Sequence, residues 1–144
     1  MTALEIAKYF IAKPLSDDEE LLSHLKLQKL LYYAQGFWLA LNDGRALFDE
    51  PVLAWEHGPV VRSVWENYRA YRGGEPIPAE PIDLDEFDPE IQDILDEVWR
   101  VYGQFSAWKL REMTHAEPPW RDTPRNAEIP QPIMKDFFSS LLPG

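Results

Sequence analysis

The sequence predicts a mainly α protein: a single compact bundle of about six helices, with one or two short β-strands or extended segments between helices 2 and 3. Three observations predict it. Apolar residues recur at helical spacing in successive segments, each closed by Pro, Gly or Asn/Asp. The length of 144 residues suits one ordinary domain, so residues 1–144 are read as a single unit; no internal repeat or low-complexity tract breaks it. An apolar fraction of 45% and an aromatic fraction of 13%, with six Trp, are enough to build a core without disulfides.

The first helix is expected over residues 3–13. Thr2 followed by Glu5 is a capping-box pattern, Leu4, Ala7, Phe10 and Ile11 share a face, and Pro14 supplies a stop. The acidic run Asp17-Asp18-Glu19-Glu20 connects to Ser23, an N-cap residue. The second helix, about 24–42, places Leu27, Leu30, Leu31, Ala34, Phe37, Trp38 and Leu41 on one stripe. Lys26, Lys29, Tyr33 and Gly36 fall away from that stripe, and Asn42-Asp43-Gly44 ends the helix in left-handed conformations.

Residues 47–57 alternate weakly, and Pro51 confines any strand there to an edge. Pro59 suits the first turn of a third helix, about 59–71, burying Val61, Val64, Trp65 and Tyr68 and ending at Gly73-Gly74. Residues 73–89, with four prolines among acids, read as a mobile loop. Asp88-Pro89-Glu90 opens a fourth helix whose buried face is Ile91, Ile94, Leu95, Val98 and Tyr102, with Gly103 as its stop. Ser106 caps a fifth helix with Leu110 and Met113 inward. Residues 117–132 are Pro-rich and irregular, anchored by Trp120, and a last helix spans about 131–141.

Composition narrows the function. The absence of Cys removes disulfides, thiolate nucleophiles and zinc–thiolate or iron–sulfur sites, and suits a reducing cytoplasm. No apolar run approaches the roughly 18 residues a membrane span needs, and the N-terminus lacks a basic start, so a soluble, cytoplasmic protein without membrane association is expected. The net charge is −11. Between Arg72 and Arg100 there is no Lys or Arg, and that stretch carries acids from Glu75 to Glu97. Such a surface repels phosphate backbones and disfavours direct nucleic-acid binding; it is either a solvated face or a surface that steers a basic partner.

A search for chemistry returns little. His24, His57 and His115 are not spaced as metal-ligand pairs, and no phosphate loop, dinucleotide fingerprint or nucleophile elbow occurs. His115-Ala116-Glu117-Pro118-Pro119 is superficially deaminase-like, but that chemistry needs a Cys pair on zinc. The best acid–base pair is Glu56 beside His57, a pairing that more often fixes a turn. No catalytic residue, metal or cofactor is assigned, and the chain is read as a non-enzyme. What remains is a polar and aromatic set on the second and third helices: Lys29, Tyr32, Tyr33, Gln35, Arg62 and Arg69. Tyr and Arg supply binding hot spots, so these six are the candidate contacts for a protein partner.

The run Leu27-Gln28-Lys29-Leu30-Leu31-Tyr32-Tyr33-Ala34-Gln35-Gly36, then Leu47-Phe48-Asp49-Glu50-Pro51 and Trp55-Glu56-His57-Gly58-Pro59-Val60, resembles the Panacea, or SocA-like, antitoxin domain. The similarity continues through Tyr102-Gly103, Ser106-Ala107, Leu110, Thr114-His115 and Pro119-Trp120. The resemblance implies a mainly helical, non-enzymatic domain of bacterial chromosomes and prophages. Its partner would be a cognate toxin, encoded by the adjacent gene and neutralised by direct contact; the alternative within the family is an adaptor delivering a partner to a cytosolic protease. Carried over by position, the implied scaffold residues are Gln28, Lys29, Tyr32, Gly36, Trp55, Glu56, His57, Gly58, Pro59, His115 and Trp120.

Overall fold

Helix α2, His24–Leu41, is the axis of the architecture. In the computed structural model, which describes residues 1–17 and 20–143, six elements pack around it. These are α1 (Ala3–Asp17), the second strand of a hairpin β1 (Val52–Trp55) and β2 (Gly58–Val61), and the helices α3 (Arg62–Asn67), α4 (Pro89–Tyr102), α5 (Ala107–Ala116) and α7 (Gln131–Ser140). A one-turn helix α6, Pro118–Arg121, joins α5 to the segment before α7. The fold is mainly α with a small antiparallel sheet, as the sequence predicts. Asp18 and Glu19 of the acidic connector lie outside the described residues.

Local signals explain most boundaries. Thr2 and Glu5 form the capping box reciprocally, at 3.0 and 3.2 Å. Ser23 and Ser106 accept from the main-chain N–H of Lys26 and Lys109. After α2, Asp43 and Gly44 take φ of 52° and 83°, and the Gly44 N–H closes on the Leu39 carbonyl. Pro14 does not stop α1, which runs one turn further with Pro14 buried inside it. A proline forfeits one main-chain bond, a loss borne most easily in a final turn that is packed against the core.

The third helix begins later than the sequence predicts. Residues 58–61 are strand β2, α3 starts only at Arg62, and a 3-10 turn follows at Arg69–Tyr71. The hairpin pairs Val52 with Val61, Leu53 with Val60, Ala54 with Pro59 and Trp55 with Gly58. The Ala54 N–H and carbonyl both turn the other way, to Ala127 and Asn126. Pro59 therefore sits opposite a residue that asks nothing of its missing N–H. Residues 126–129 cover the outer side of β1, so β1 is flanked on both sides and is not the edge that Pro51 suggested. Part of the Pro-rich stretch read as irregular is thus ordered as a third layer of pairing. The 73–89 loop is fixed at two points: Ile77 is buried and donates its N–H to Leu22 at 2.8 Å, and Phe87 is buried against Tyr9.

A single cluster of apolar side chains from α1, α2, the hairpin, α4, α5 and α7 forms the core. Every residue from Leu27 to Gly36 is buried, whereas Leu41, at the end of the predicted stripe, is exposed. The two-faced reading of α2 is therefore corrected: from Leu27 to Gly36 it is enclosed all round, and the polar side chains of that stretch are inside the protein.

Candidate functional site

Four of the six predicted contact residues are inside. Lys29, Tyr32, Tyr33 and Gln35 are all 0–1% exposed, so they form no surface edge. Each meets a specific interior demand instead. Gln35 accepts from the Leu47 N–H and donates to the Phe48 carbonyl, both at 2.7 Å, fastening the chain after α2. Gln28 does the same for β2. Its amide oxygen accepts from Val61 N–H at 2.8 Å, so its NH2 donates to His24 Nε2 at 3.1 Å. An amide NH2 cannot accept, so His24 is held neutral, and burial pushes its pKa down to about 4.

Tyr32 and Tyr33 converge on one carboxylate. Both hydroxyls donate at 3.0 Å to Glu117, between α5 and α6. Tyr33 stacks flat on Tyr102 at 3.8 Å, and Tyr32 meets Phe138 edge-on at 5.3 Å. Burial raises the Glu117 pKa to about 7 in spite of the two phenols, which favour the ionised form. One turn on, Gly36 lies against the Phe138 ring so closely that a Cβ would come within 2.1 Å of it. That contact explains a glycine in mid-helix.

Lys29 lies beneath the hairpin turn. Gly58 has φ of 121°, and a Cβ there would sit 2.5 Å from Lys29 Cε and 3.2 Å from Thr114 Oγ1. Only glycine satisfies both that conformation and that approach. Burial first, and Arg111 second, lower the Lys29 pKa to about 7. Trp120 locks the turn from beyond: its indole N–H donates to the Trp55 carbonyl at 2.7 Å, His115 stacks on it at 3.8 Å and 3°, and Arg125 lies 3.6 Å over the same indole. Burial and the cations Arg111, Lys29 and Arg125 depress the His115 pKa. Glu56 and His57, by contrast, are exposed at the tip of the turn. Among the described residues, no group of three His, Asp or Glu is arranged to hold a metal ion, and no helix is long and apolar enough to cross a membrane.

The exterior candidates are Arg62 and Arg69, both exposed, with Arg62 paired to Glu66 at 3.2 Å. Beside them Trp55 and Trp65, each part-exposed, meet edge-to-face at 5.4 Å. They help line a depression of about 250 Å³ whose rim includes Leu25, His57, Arg72 and Asn126. Residues that the sequence reading passed over are as central as those it named: Thr114 and Arg111 face Lys29, Glu117 holds both tyrosines, and Arg125 covers Trp120. Their only local signal is the Glu117-Pro118-Pro119 break, which turns the chain sharply and directs Glu117 inward.

No curated protein and no solved structure matches the chain. A family model described as "Antitoxin SocA-like, Panacea domain" matches residues 27–121, which span α2, the hairpin, α3, α4, α5 and α6. That span contains the glutamine, lysine and tyrosine anchors of α2, the glycine of the turn and the carboxylate that receives the two phenols, and it is well over half of the sequence. The chain belongs to the SocA-like antitoxin Panacea-domain family.

Proposed function

We propose that this protein is the antitoxin of a bacterial or prophage toxin–antitoxin pair and neutralises its cognate toxin by direct binding. The observation that carries the reading is the family match across residues 27–121. Gln28, Tyr32, Tyr33, Gln35 and Glu117 inside that span are engaged in holding α2 to the hairpin, to the chain that follows it and to the end of α5, which suits a binding scaffold. The toxin is encoded by the adjacent gene, and the complex forms in the cytoplasm.

The contact surface we assign is the exposed aromatic–basic face of the hairpin and α3: Trp55, Trp65 and Arg72 line the depression beside Leu25, and Arg62 and Arg69 are exposed on the same stretch of chain. Trp and Arg at the border of a partly apolar hollow are the composition of an interface hot spot. Tyr32, Tyr33 and Gln35 contribute by fixing the scaffold beneath it.

Co-expression with the neighbouring gene is the test. Growth is rescued and the two proteins co-purify if the reading holds; growth arrest with no complex rejects it. Trp65→Ala combined with Arg62→Ala and Arg69→Ala weakens rescue while circular dichroism stays native, and full rescue by that variant moves the contact face elsewhere. Partner half-life separates the alternative: a masking antitoxin preserves the toxin, whereas a proteolytic adaptor shortens its life.

A further inference from the structure

Three nitrogens come from the packed pair α2 and α5 beside the hairpin turn: Lys29 Nζ from α2, and Arg111 Nε and His115 Nε2, one helical turn apart, from α5. Each is shielded from solvent and has no hydrogen-bond partner, and Lys29 as a whole is 0% exposed. The charges that lower the pKa values of Lys29 and His115 are cations: Arg111 acts on both, and Lys29 and Arg125 act on His115. The nearby buried carboxylate, Glu117, already receives Tyr32 and Tyr33. A protein of net charge −11 thus holds three unpartnered nitrogens, two of them on basic side chains, in its interior. Isolated buried charge is strongly unfavourable unless it is paired, and unsatisfied buried donors are rare in native proteins.

The walls of the knot are built with care for its shape. Gly58 keeps the turn bare directly over the Lys29 amine, with Thr114 Oγ1 alongside. Trp120 fixes the imidazole plane of His115 by stacking, and the Glu56 main chain lies against the ring and favours its protonated form. Arg111 is the outer wall: its guanidinium carbon lies 5.0 Å from the ring of Trp108, which is 64% exposed.

We propose that Lys29, Arg111 and His115 form an enclosed receptor for one small free oxyanion, of the phosphate or carboxylate class. Lys29 and Arg111 supply the charge, and His115 donates through Nε2 once the bound anion draws a second proton onto the ring, whose Nδ1 faces the Glu56 main chain. The ligand is free, not the side chain of a docked protein, because all three nitrogens are shielded from solvent and Lys29 is fully buried. A small anion held there ties α2, α5 and the hairpin together. The hairpin also carries Trp55 of the proposed toxin-binding face, so the anion stabilises the surface without belonging to it.

The test uses the full chain alone, so its failure leaves the antitoxin reading untouched. Melting temperature is followed against inorganic phosphate, acetate and chloride at matched ionic strength, with calorimetric titration of the anion that acts. Phosphate or acetate raises the melting temperature saturably above chloride, by roughly 5–10 °C at a hundredfold excess over Kd. Response to phosphate alone or acetate alone assigns the class. Lys29→Met melts higher than the native chain without anion, because the unpaired charge is gone, and shows no saturable response. Arg111→Gln, at a partly exposed residue, keeps a native circular dichroism spectrum and binds at least about tenfold more weakly, as loss of a charge-assisted hydrogen bond requires. Equal responses in the native chain and Arg111→Gln, or no response beyond chloride, overturn the proposal; Arg111→Gln decides alone if Lys29→Met does not fold.

Discussion

Glu117 shows how one side chain can govern the interior of this protein. Two phenols from consecutive positions of α2 donate to it across more than eighty residues of sequence, at 3.0 Å each. No window of sequence could have announced that pairing, since neither Tyr-Tyr nor His-Ala-Glu has a local pattern that implies burial. Lys29 and Gln35 were misplaced for the same reason: polarity says that a side chain needs partners, not whether water or protein provides them. Gly36 and Gly58 were more legible, as glycines at places that elsewhere disfavour them, though the Phe138 ring and the Lys29 amine that require them were not. The raised pKa of Glu117 has a consequence for stability. Its value is about 7 in the folded chain against 4.5 for the ordinary group, so between those pH values the folded state holds a proton that the unfolded state has released. Its contribution to stability therefore falls as pH rises from about 4.5 to 7, by roughly 3 kcal/mol. His24, depressed to about 4, acts in the opposite sense: its contribution is present above pH 6.5 and is lost as pH falls towards 4. Glu117→Gln separates the two. Its amide still accepts from one phenol, and its unfolding free energy measured by urea denaturation should gain on that of the native chain steadily from pH 4.5 to 7.5. A constant difference across that range would show that Glu117 does not titrate there.

At the level of elements, the sequence resolved helices from their caps and failed where tertiary pairing overrode propensity. α2, α4, α5 and α7 lie close to their expected bounds because Ser23, Pro89, Ser106 and the Pro-rich lead into α7 are local signals. Residues 58–61 went wrong because Gly-Pro ahead of an amphipathic run also describes a helix start. Only the partner strand at 52–55, covered in turn by 126–129, decides in favour of β. The amphipathic stripe of α2 failed for a different reason: a helix surrounded by six elements has no outward face along most of its length. Its tightest seam is with α7, where Gly36 admits Phe138 and four other aromatic rings, Tyr32, Tyr33, Phe37 and Phe137, pack around that ring. Phe138→Ala removes the ring and should cost about 3–5 kcal/mol. Gly36→Ala puts a methyl where the ring sits and should cost about 1–3 kcal/mol on its own. In the double variant the new methyl fills part of the space the ring leaves. The combined loss should then be smaller than the sum by about 1 kcal/mol or more, since contacting residues are not additive. Additive losses in chemical denaturation would mean that α7 does not seat on Gly36.

Charge is organised over the whole molecule in a way no single element shows. Cations cluster around α3, α5 and α6, exposed except for the half-buried Arg111, while the loop and helix from Glu75 to Glu97 present acids with no Lys or Arg among them. One of those acids is structural: Asp96 accepts from the Tyr9 hydroxyl at 2.6 Å and pairs with Lys13 at 2.7 Å, holding α4 on α1. The remainder, including Asp85, Glu86 and Asp93, are exposed. Surface charge of this kind adds little to fold stability, but its field extends over a Debye length of roughly 10 Å at 0.1 M salt and accelerates encounter with a partner of opposite sign. On the antitoxin reading, the acidic side draws in a basic toxin and the aromatic–basic face of the hairpin and α3 retains it. The two functions are separable in kinetics. Asp85→Asn, Glu86→Gln and Asp93→Asn together should lower the association rate with the purified toxin by about tenfold at low salt and flatten its dependence on ionic strength, with dissociation and melting temperature unchanged. Trp65→Ala should do the reverse, leaving association nearly intact and speeding dissociation. Stopped-flow association in a salt series distinguishes them. An unchanged association rate in the triple variant would leave the acidic segment as a solvating surface and nothing more.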